Sequence, residues 1–348
     1  MGVKMSVGIV GIGVYIPDNF WDSQKIAELS ALPKWVVEEK LGIKRKPMPG
    51  PEDHPSIMGV KAAVQAMKMA KCDASEIDVV IWNGSQHKDY PIWLAGTYVA
   101  EKLGANRAWS FDMEAECGSM MVGMKVAKSL ILSDQKINTV LLVSGYRNCD
   151  FVNYKNPKTR FMYDLGSGGA AMIIKRNAPN VILETVTITD GSFSEDVVVP
   201  MGGTKEPVNC DGIANGRGYL DVVNPDSMKE KLDALSMENF EKAIRMSVEQ
   251  SGYAVEDIDY LAILHMKRSA HEEVLKRLNL SGDKTIYLEN YGHIGQNDQI
   301  LSLSLALENG KIKNGDLVVF VGAGIGYIWS ATTLIWGEEI MNAESTHI

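Results

Sequence analysis

The chain repeats itself. Cys72-Asp-Ala-Ser-Glu-Ile-Asp-Val-Val-Ile81 and Tyr253-Ala-Val-Glu-Asp-Ile-Asp-Tyr-Leu-Ala262 are each an acidic turn leading into an apolar run, with Ile77 and Ile258 lying 181 positions apart. The order of patterns around them repeats as well. An apolar opening run (7–17; 181–188) precedes a stretch with apolar residues every three or four positions (56–71; 237–250), which predicts a strand and then a helix. After the acidic join, the run 139–145 matches 316–322, and each half closes on a further apolar strand. Two fused α/β halves, 1–177 and 178–348, follow from this order, with parallel strands buried between helices. In such sheets ligands sit outside the strand ends, so a site is expected at the seam of the halves.

Other classes drop out on composition and local pattern. A net charge of −9 leaves no basic surplus for a nucleic-acid binder. Gly8, Gly11 and Gly13 imitate a dinucleotide fingerprint, but Val-Tyr-Ile-Pro follows them where a helix is required. Residues 317–336 carry no charge and are long enough for a membrane span. Three glycines in their middle and β-rich runs on both sides read better as two buried strands joined by a turn. The four cysteines (Cys72, Cys117, Cys149, Cys210) show no C-x-x-C pairing. The N-terminus lacks a signal-peptide pattern, so they read as reduced thiols in a cytoplasmic protein, with no zinc and no other metal expected.

One of these cysteines stands apart. Cys117, in Met113-Glu-Ala-Glu-Cys-Gly-Ser119, lies between a predicted strand and a predicted helix. Unpaired backbone N–H groups and the positive helix end favour a thiolate there. The duplication places His293 opposite it, 176 positions on. His265 directly follows the strand 260–264, and Gly324 and Gly326 form a turn whose N–H groups an oxyanion can approach. A cysteine, two histidines and a glycine turn at one seam make a nucleophilic site. Met113, Met120, Met121 and Met124 could shape an acyl tunnel, but at helical spacing they read first as core. Glu116, as a strand neighbour of Cys117, is expected to face away from the sulfur.

From residue 7 to residue 336 the chain resembles the thiolase-superfamily condensing enzymes. It is most similar to the β-ketoacyl-acyl-carrier-protein synthase III group, with 3-hydroxy-3-methylglutaryl-CoA synthases more distant. The resemblance rests on the order and spacing of several strings. These are Gly11-Ile-Gly-Val-Tyr-Ile-Pro17, Trp35-Val-Val-Glu-Glu-Lys-Leu-Gly-Ile-Lys-Arg45, the Cys117 turn, Gly166-Ser-Gly-Gly-Ala-Ala171, Ile263-Leu-His265, Asn290-Tyr-Gly-His293 and Gly324-Ile-Gly-Tyr-Ile-Trp329.

The resemblance implies a thiolase-like fold in αβαβα layers and a homodimer. It implies an acyltransferase in which Cys117 takes an acyl group from an acyl-CoA or acyl carrier protein and a malonyl-type thioester is then condensed with it. His265 would stabilise the enolate, and the N–H groups of Cys117 and Gly326 would form the oxyanion hole. Trp35, Lys44, Arg45 and Lys46 would line the pantetheine or adenine entrance, with Arg160 a further candidate. Lys267 and Arg268 would meet a carrier protein or a CoA phosphate. No tightly bound cofactor is implied, since CoA or phosphopantetheine arrives as part of the substrate.

His293 departs from this pattern, because the synthase III group has Asn in that slot, whereas elongating synthases use Cys-His-His. Three alternatives stay open on the sequence. They are acyl transfer to another acceptor, a non-decarboxylating condensation, and a non-catalytic subunit that binds acyl-CoA or scaffolds a partner.

Overall fold

The computed structural model describes residues 6–337. Nine strands carry the architecture: β1 (Val7–Tyr15), β2 (Val79–Gly84), β3 (Trp109–Glu114), β4 (Thr139–Tyr146), β5 (Gly168–Arg176), β6 (Val181–Thr189), β7 (Ile258–Ile263), β8 (Leu317–Gly324) and β9 (Ile328–Ile335). They run in the spatial order β7-β8-β9-β6-β1-β5-β4-β2-β3. The repeat is visible in this order: β6, β7, β8 and β9 take the places in the second half that β1, β2, β4 and β5 take in the first. The two half-sheets touch through one pair, Gly8 with Val181.

Six helices sort into three layers. Those of the first half are α1 (Pro55–Ala70), α2 (Ala95–Leu103) and α3 (Ser119–Ser133). Those of the second half are α4 (Pro225–Gln250), α5 (Arg268–Leu278) and α6 (Asp298–Glu308). Helices α3 and α6 each pack on strands of both half-sheets, so they form the middle layer. The pair α1 and α2 covers the first half-sheet from outside, and α4 with α5 covers the second. This is the expected αβαβα stack.

Its middle is dry. Met120, Met121, Met124, Ala127 and Ile131 of α3 share one buried cluster with Ile300, Leu301, Leu303 and Ala306 of α6. The methionines are therefore core, as their helical spacing suggested. A stripe of buried Met and Ile on α3 and of Ile and Leu on α6 explains why the two helices face the interior rather than solvent.

The sheet corrects one expectation. Strands β2, β3 and β4 are parallel, as are β7 and β8, but β5 and β9 run antiparallel to their neighbours. Parallel neighbours need a crossover of a dozen or more residues. Residues 325–327 leave room only for a hairpin between β8 and β9, as the charge-free run 317–336 foretold. Among the described residues no helix is long and apolar enough to cross a membrane. The insertion at 198–222 holds a short ladder, Val197–Val198 with Asp221–Val222, and the helix Cys210–Ala214.

Candidate active site

Cys117 lies in a tight turn between β3 and α3. The chain leaves the strand through Ala115 and then Glu116, whose φ of +46° is left-handed. Few non-glycine residues adopt that conformation without support. Two bonds hold the turn here: Gly118 N–H donates to the Ala115 carbonyl (3.1 Å), and Ala115 N–H donates to Ser119 Oγ (2.7 Å). The result presents Cys117, 7% exposed, one turn before the N-terminus of α3.

Glu116 is thus a turn residue rather than a strand residue, so the alternation expected to turn it away from the sulfur does not apply. Burial pushes its carboxyl up to about 7, and the charge of Glu114 adds to the rise.

The second half supplies the counterpart. His293 precedes α6 in a turn, and its Nε2 lies 3.0 Å from Cys117 Sγ. On its other side, Nδ1 lies 2.5 Å from Asp298 Oδ2. Asp298, fully buried as the first residue of α6, also accepts from Ile294 N–H through Oδ1 (2.8 Å) and from His265 N–H through Oδ2 (2.7 Å). Burial works to lower the His293 pKa, but the Asp298 carboxylate and the Cys117 sulfur outweigh it and hold the pKa well above the ordinary imidazole value.

A second aspartate mirrors the first. Asp164 Oδ2 lies 2.7 Å from His265 Nδ1, and the Asp164 carbonyl accepts from His293 N–H (2.9 Å). Each histidine is therefore held by the side chain of one aspartate and tied through its backbone to the other. Gly292 makes this approach feasible. Its φ is +58°, and a Cβ at that position would collide with the Asp164 carbonyl.

Among the described residues no hydrogen bond joins His265 to the sulfur. Its Nε2 faces the Gly42 carbonyl at 3.1 Å, so both ring nitrogens are engaged within the protein. Gly42 ends the π-helical turn Val36–Leu41, which Trp35 caps, so the segment forecast as an entrance lies directly over His265.

The glycine strand contributes by close approach. A Cβ at Gly324 would lie 2.9 Å from Cys117 N, and one at Gly322 would lie 3.1 Å from Cys117 O. Only glycines let β8 pass so near the Cys117 backbone. Gly326 sits two residues further, in the hairpin turn, with a φ of +105° and open space where a side chain would project.

The basic residues divide. Lys44 Nζ and Arg268 Nη2 both bind Glu289, each at 2.6 Å, which joins an N-terminal and a C-terminal residue. Arg268 also stacks over Tyr287, Arg45 lies over the Phe20 ring, and Trp35 is 54% exposed. Lys267 and Arg160 are exposed.

Lys46 does not belong to this group, which corrects its place among the entrance residues. It is fully buried and donates to Tyr154 Oη (2.6 Å) and to the carbonyls of Tyr163 (2.7 Å) and Leu165 (2.6 Å). Along Arg45–Met48 Arg45 is exposed while Lys46, Pro47 and Met48 are buried, so Lys46 points into the protein. There it supports the segment that carries Asp164.

The sequence reading missed Asp164 and Asp298. A lone aspartate carries no signal of its own, although Asp298 lies five positions after His293, close enough to cap the helix start and reach back to the ring.

Residues 111–191 match the family described as 3-oxoacyl-[acyl-carrier-protein] synthase III, and residues 248–336 match the C-terminal family of the same enzymes. The β-ketoacyl-[acyl-carrier-protein] synthase III of Symbiobacterium thermophilum is 26% identical over 333 residues, spanning 95% of this chain and 98% of that protein. That of Clostridioides difficile is 27% identical over 339 residues, spanning 96% and 99%.

Among solved structures, 3-oxoacyl-[acyl-carrier-protein] synthase III from Aquifex aeolicus superposes with a TM-score of 0.80 at 23% identity, over 95% of this chain and 100% of that one. OleA of Xanthomonas campestris, solved with lauric acid and lauroyl-CoA, gives 0.79 at 20%, over 95% and 99%. The layered fold and the cysteine at its seam define a thiolase-type condensing enzyme. The two family matches and the relatives along nearly the whole chain support its place with the β-ketoacyl-acyl-carrier-protein synthase III group of that superfamily.

Proposed function

We propose that this acyltransferase forms an acyl-enzyme on Cys117 from an acyl thioester and condenses it with a malonyl-type thioester. The observation that carries the reading is the 3.0 Å contact between Cys117 Sγ and His293 Nε2 at the seam of the halves.

In the first step the Cys117 proton passes to His293 Nε2, and Sγ attacks the thioester carbonyl carbon. The donor C–S bond then breaks, and the leaving thiolate takes the proton from His293. N–H groups of Cys117 and of the Gly326 turn are placed in the reading as the oxyanion hole. In the second step the malonyl carboxylate leaves as CO2, and the enolate carbon attacks the acyl carbonyl. The bond to Cys117 breaks, and the thiolate recovers a proton from solvent.

His265 takes part in enolate stabilisation once the Gly42 carbonyl has moved off its Nε2. Trp35, Lys44, Arg45, Lys267, Arg268 and Arg160 then receive the CoA or carrier phosphate, which suits the exposed positions of all but the half-buried Arg268. CoA or phosphopantetheine enters as substrate. The four free cysteines fit a cytoplasmic enzyme.

The test is intact mass after incubation with a series of acyl-CoA donors. The protein should gain one acyl mass, Cys117→Ala should gain none, and malonyl-CoA or malonyl carrier protein should discharge the adduct with release of CO2. Absence of any adduct with every donor would remove the reading.

We also propose a homodimer built on β3. This strand ends the sheet with one side unpaired, Trp109 on it is 49% exposed, and Ile92 and Leu94 beside it are exposed too. An apolar open edge invites pairing, and a second copy of the same strand would continue the sheet. Light scattering should give twice the 38.2 kDa of one chain, and Trp109→Asp should lower it. A wild-type monomer at micromolar concentration would exclude the dimer.

A further inference from the structure

We infer that Asp298 is the positioning residue of this site: it holds His293 in the orientation and protonation state that let it exchange a proton with Cys117. The inference rests on the acyl-enzyme reading above and assigns a part of it that the cysteine and histidines alone do not explain.

The geometry is a straight relay. Asp298 Oδ2, His293 Nδ1, His293 Nε2 and Cys117 Sγ follow one another at 2.5 Å and 3.0 Å. With Nδ1–H donating to a carboxylate, Nε2 is left facing the sulfur as the nitrogen that gains and loses the proton. Asp298 cannot rotate away from this task. Ile294 N–H holds Oδ1, His265 N–H shares Oδ2, and the residue is fully buried. A hydrogen-bonded carboxylate buried against an imidazole orients the ring and stabilises its charged form as it takes the proton.

The surroundings assign this role to Asp298 rather than to another acid. Besides Asp298, the titratable groups shown against the His293 ring among the described residues are Cys117 and, at 6.0 Å between rings, Tyr146 of β4. Glu116, Asp164, His265 and Lys46 lie on the adjoining segments. Asp164 spends its carboxylate on the His265 ring and reaches His293 only through its backbone carbonyl. Lys46 Nζ is bound to Tyr154 and to two carbonyls. Asp298 is thus the carboxylate bonded to the ring that faces the nucleophile.

Two measurements test this, and neither depends on finding the natural acyl donor. The first is the pH profile of Cys117 alkylation by iodoacetamide, read by mass on the full-length protein. Asp298→Asn keeps the shape but removes the negative charge, so His293 holds its proton less tightly and the half-maximal alkylation rate should move to higher pH. With an acyl-CoA that acylates the wild type, the same variant should form the acyl-enzyme about 10²- to 10⁴-fold more slowly. The donor concentration for half-saturation should stay within about twofold, because Asp298 makes no contact that a donor would use. Asp298→Glu, which restores the charge, should recover part of the lost rate.

The second measurement does not need the Asp298 variant and so survives its failure to fold. Proton NMR in water should show the His293 Nδ1–H resonance far downfield of the amides, identified by its loss in His293→Ala. An Asp298→Asn protein that folds and keeps both the wild-type alkylation profile and the wild-type acylation rate would overturn the assignment. So would the absence of the downfield resonance. A wild type that no thioester acylates would instead defeat the acyl-enzyme reading, while the alkylation profile still decides the role of Asp298.

Discussion

Replacing His293 with alanine is expected to slow acylation of Cys117 by about 10²- to 10⁴-fold, the usual worth of a positioned general base. Among the described residues the Nε2 contact at 3.0 Å is the side-chain hydrogen bond to the sulfur, and alanine removes it. The more informative variant is His293→Asn, which installs the residue that the synthase III pattern carries in this slot. An asparagine amide still donates an N–H to a thioester carbonyl but cannot take a proton from a thiol. Acylation should therefore stay slow, while an enzyme already acylated at Cys117 should retain most of its condensation with a malonyl thioester. Time courses of intact mass, with single-turnover CO2 release after acylation, separate the two steps. Equal loss in both steps would mean that His293 serves condensation as much as acylation. No loss in acylation would remove it as the base.

Lys46→Ala is expected to have the largest effect on stability, about 2–5 kcal/mol at pH 7, because each buried carbonyl left without its donor costs about 1–3 kcal/mol. It deletes three donors and leaves the Tyr163 and Leu165 carbonyls unpaired in a dry interior.

The pH dependence has a defined sign. Burial lowers the Lys46 pKa to about 8, against an ordinary value of 10.5. Between these values the unfolded chain binds a proton that the folded protein does not, so this group makes folding more favourable as pH rises from about 8 to 10.5. Below about 8 the charged lysine carries its full burial penalty, offset by its three bonds. Denaturant titrations should show the gap between wild type and Lys46→Ala widening above pH 8. A gap that stays flat or narrows there would show that Lys46 is ionised throughout. Because Lys46 braces the segment holding Asp164, the variant should also lose activity beyond its loss of folded protein.

Much of this could be read without coordinates. The repeated acidic joins gave the two halves, and the glycine-interrupted run gave the β8–β9 hairpin. The offset between Cys117 and His293 brought the two across the seam, because pseudo-symmetric halves place equivalent turns opposite one another. Helical spacing was enough to put Met120, Met121 and Met124 in the core. The alternation of Arg45 and Lys46 was legible in principle, yet three basic residues in a row read as one exposed patch. Whether a lysine turns inward depends on acceptors supplied from residues 154–165, more than a hundred positions away.

The sequence by itself determined the class of fold and pointed to Cys117 as the candidate nucleophile, since both follow from local patterns that recur at a set spacing. Tertiary structure decided how the two histidines are used. His265 and His293 look equivalent as residues after strand ends. They part only when Asp298 turns one ring toward Cys117 and Asp164 turns the other toward Gly42. Those four contacts join residues that are distant in the chain, apart from the short step between His293 and Asp298. Their direction is set by buried carboxylates whose bonding must be satisfied in the folded interior, and a one-dimensional pattern carries no record of that.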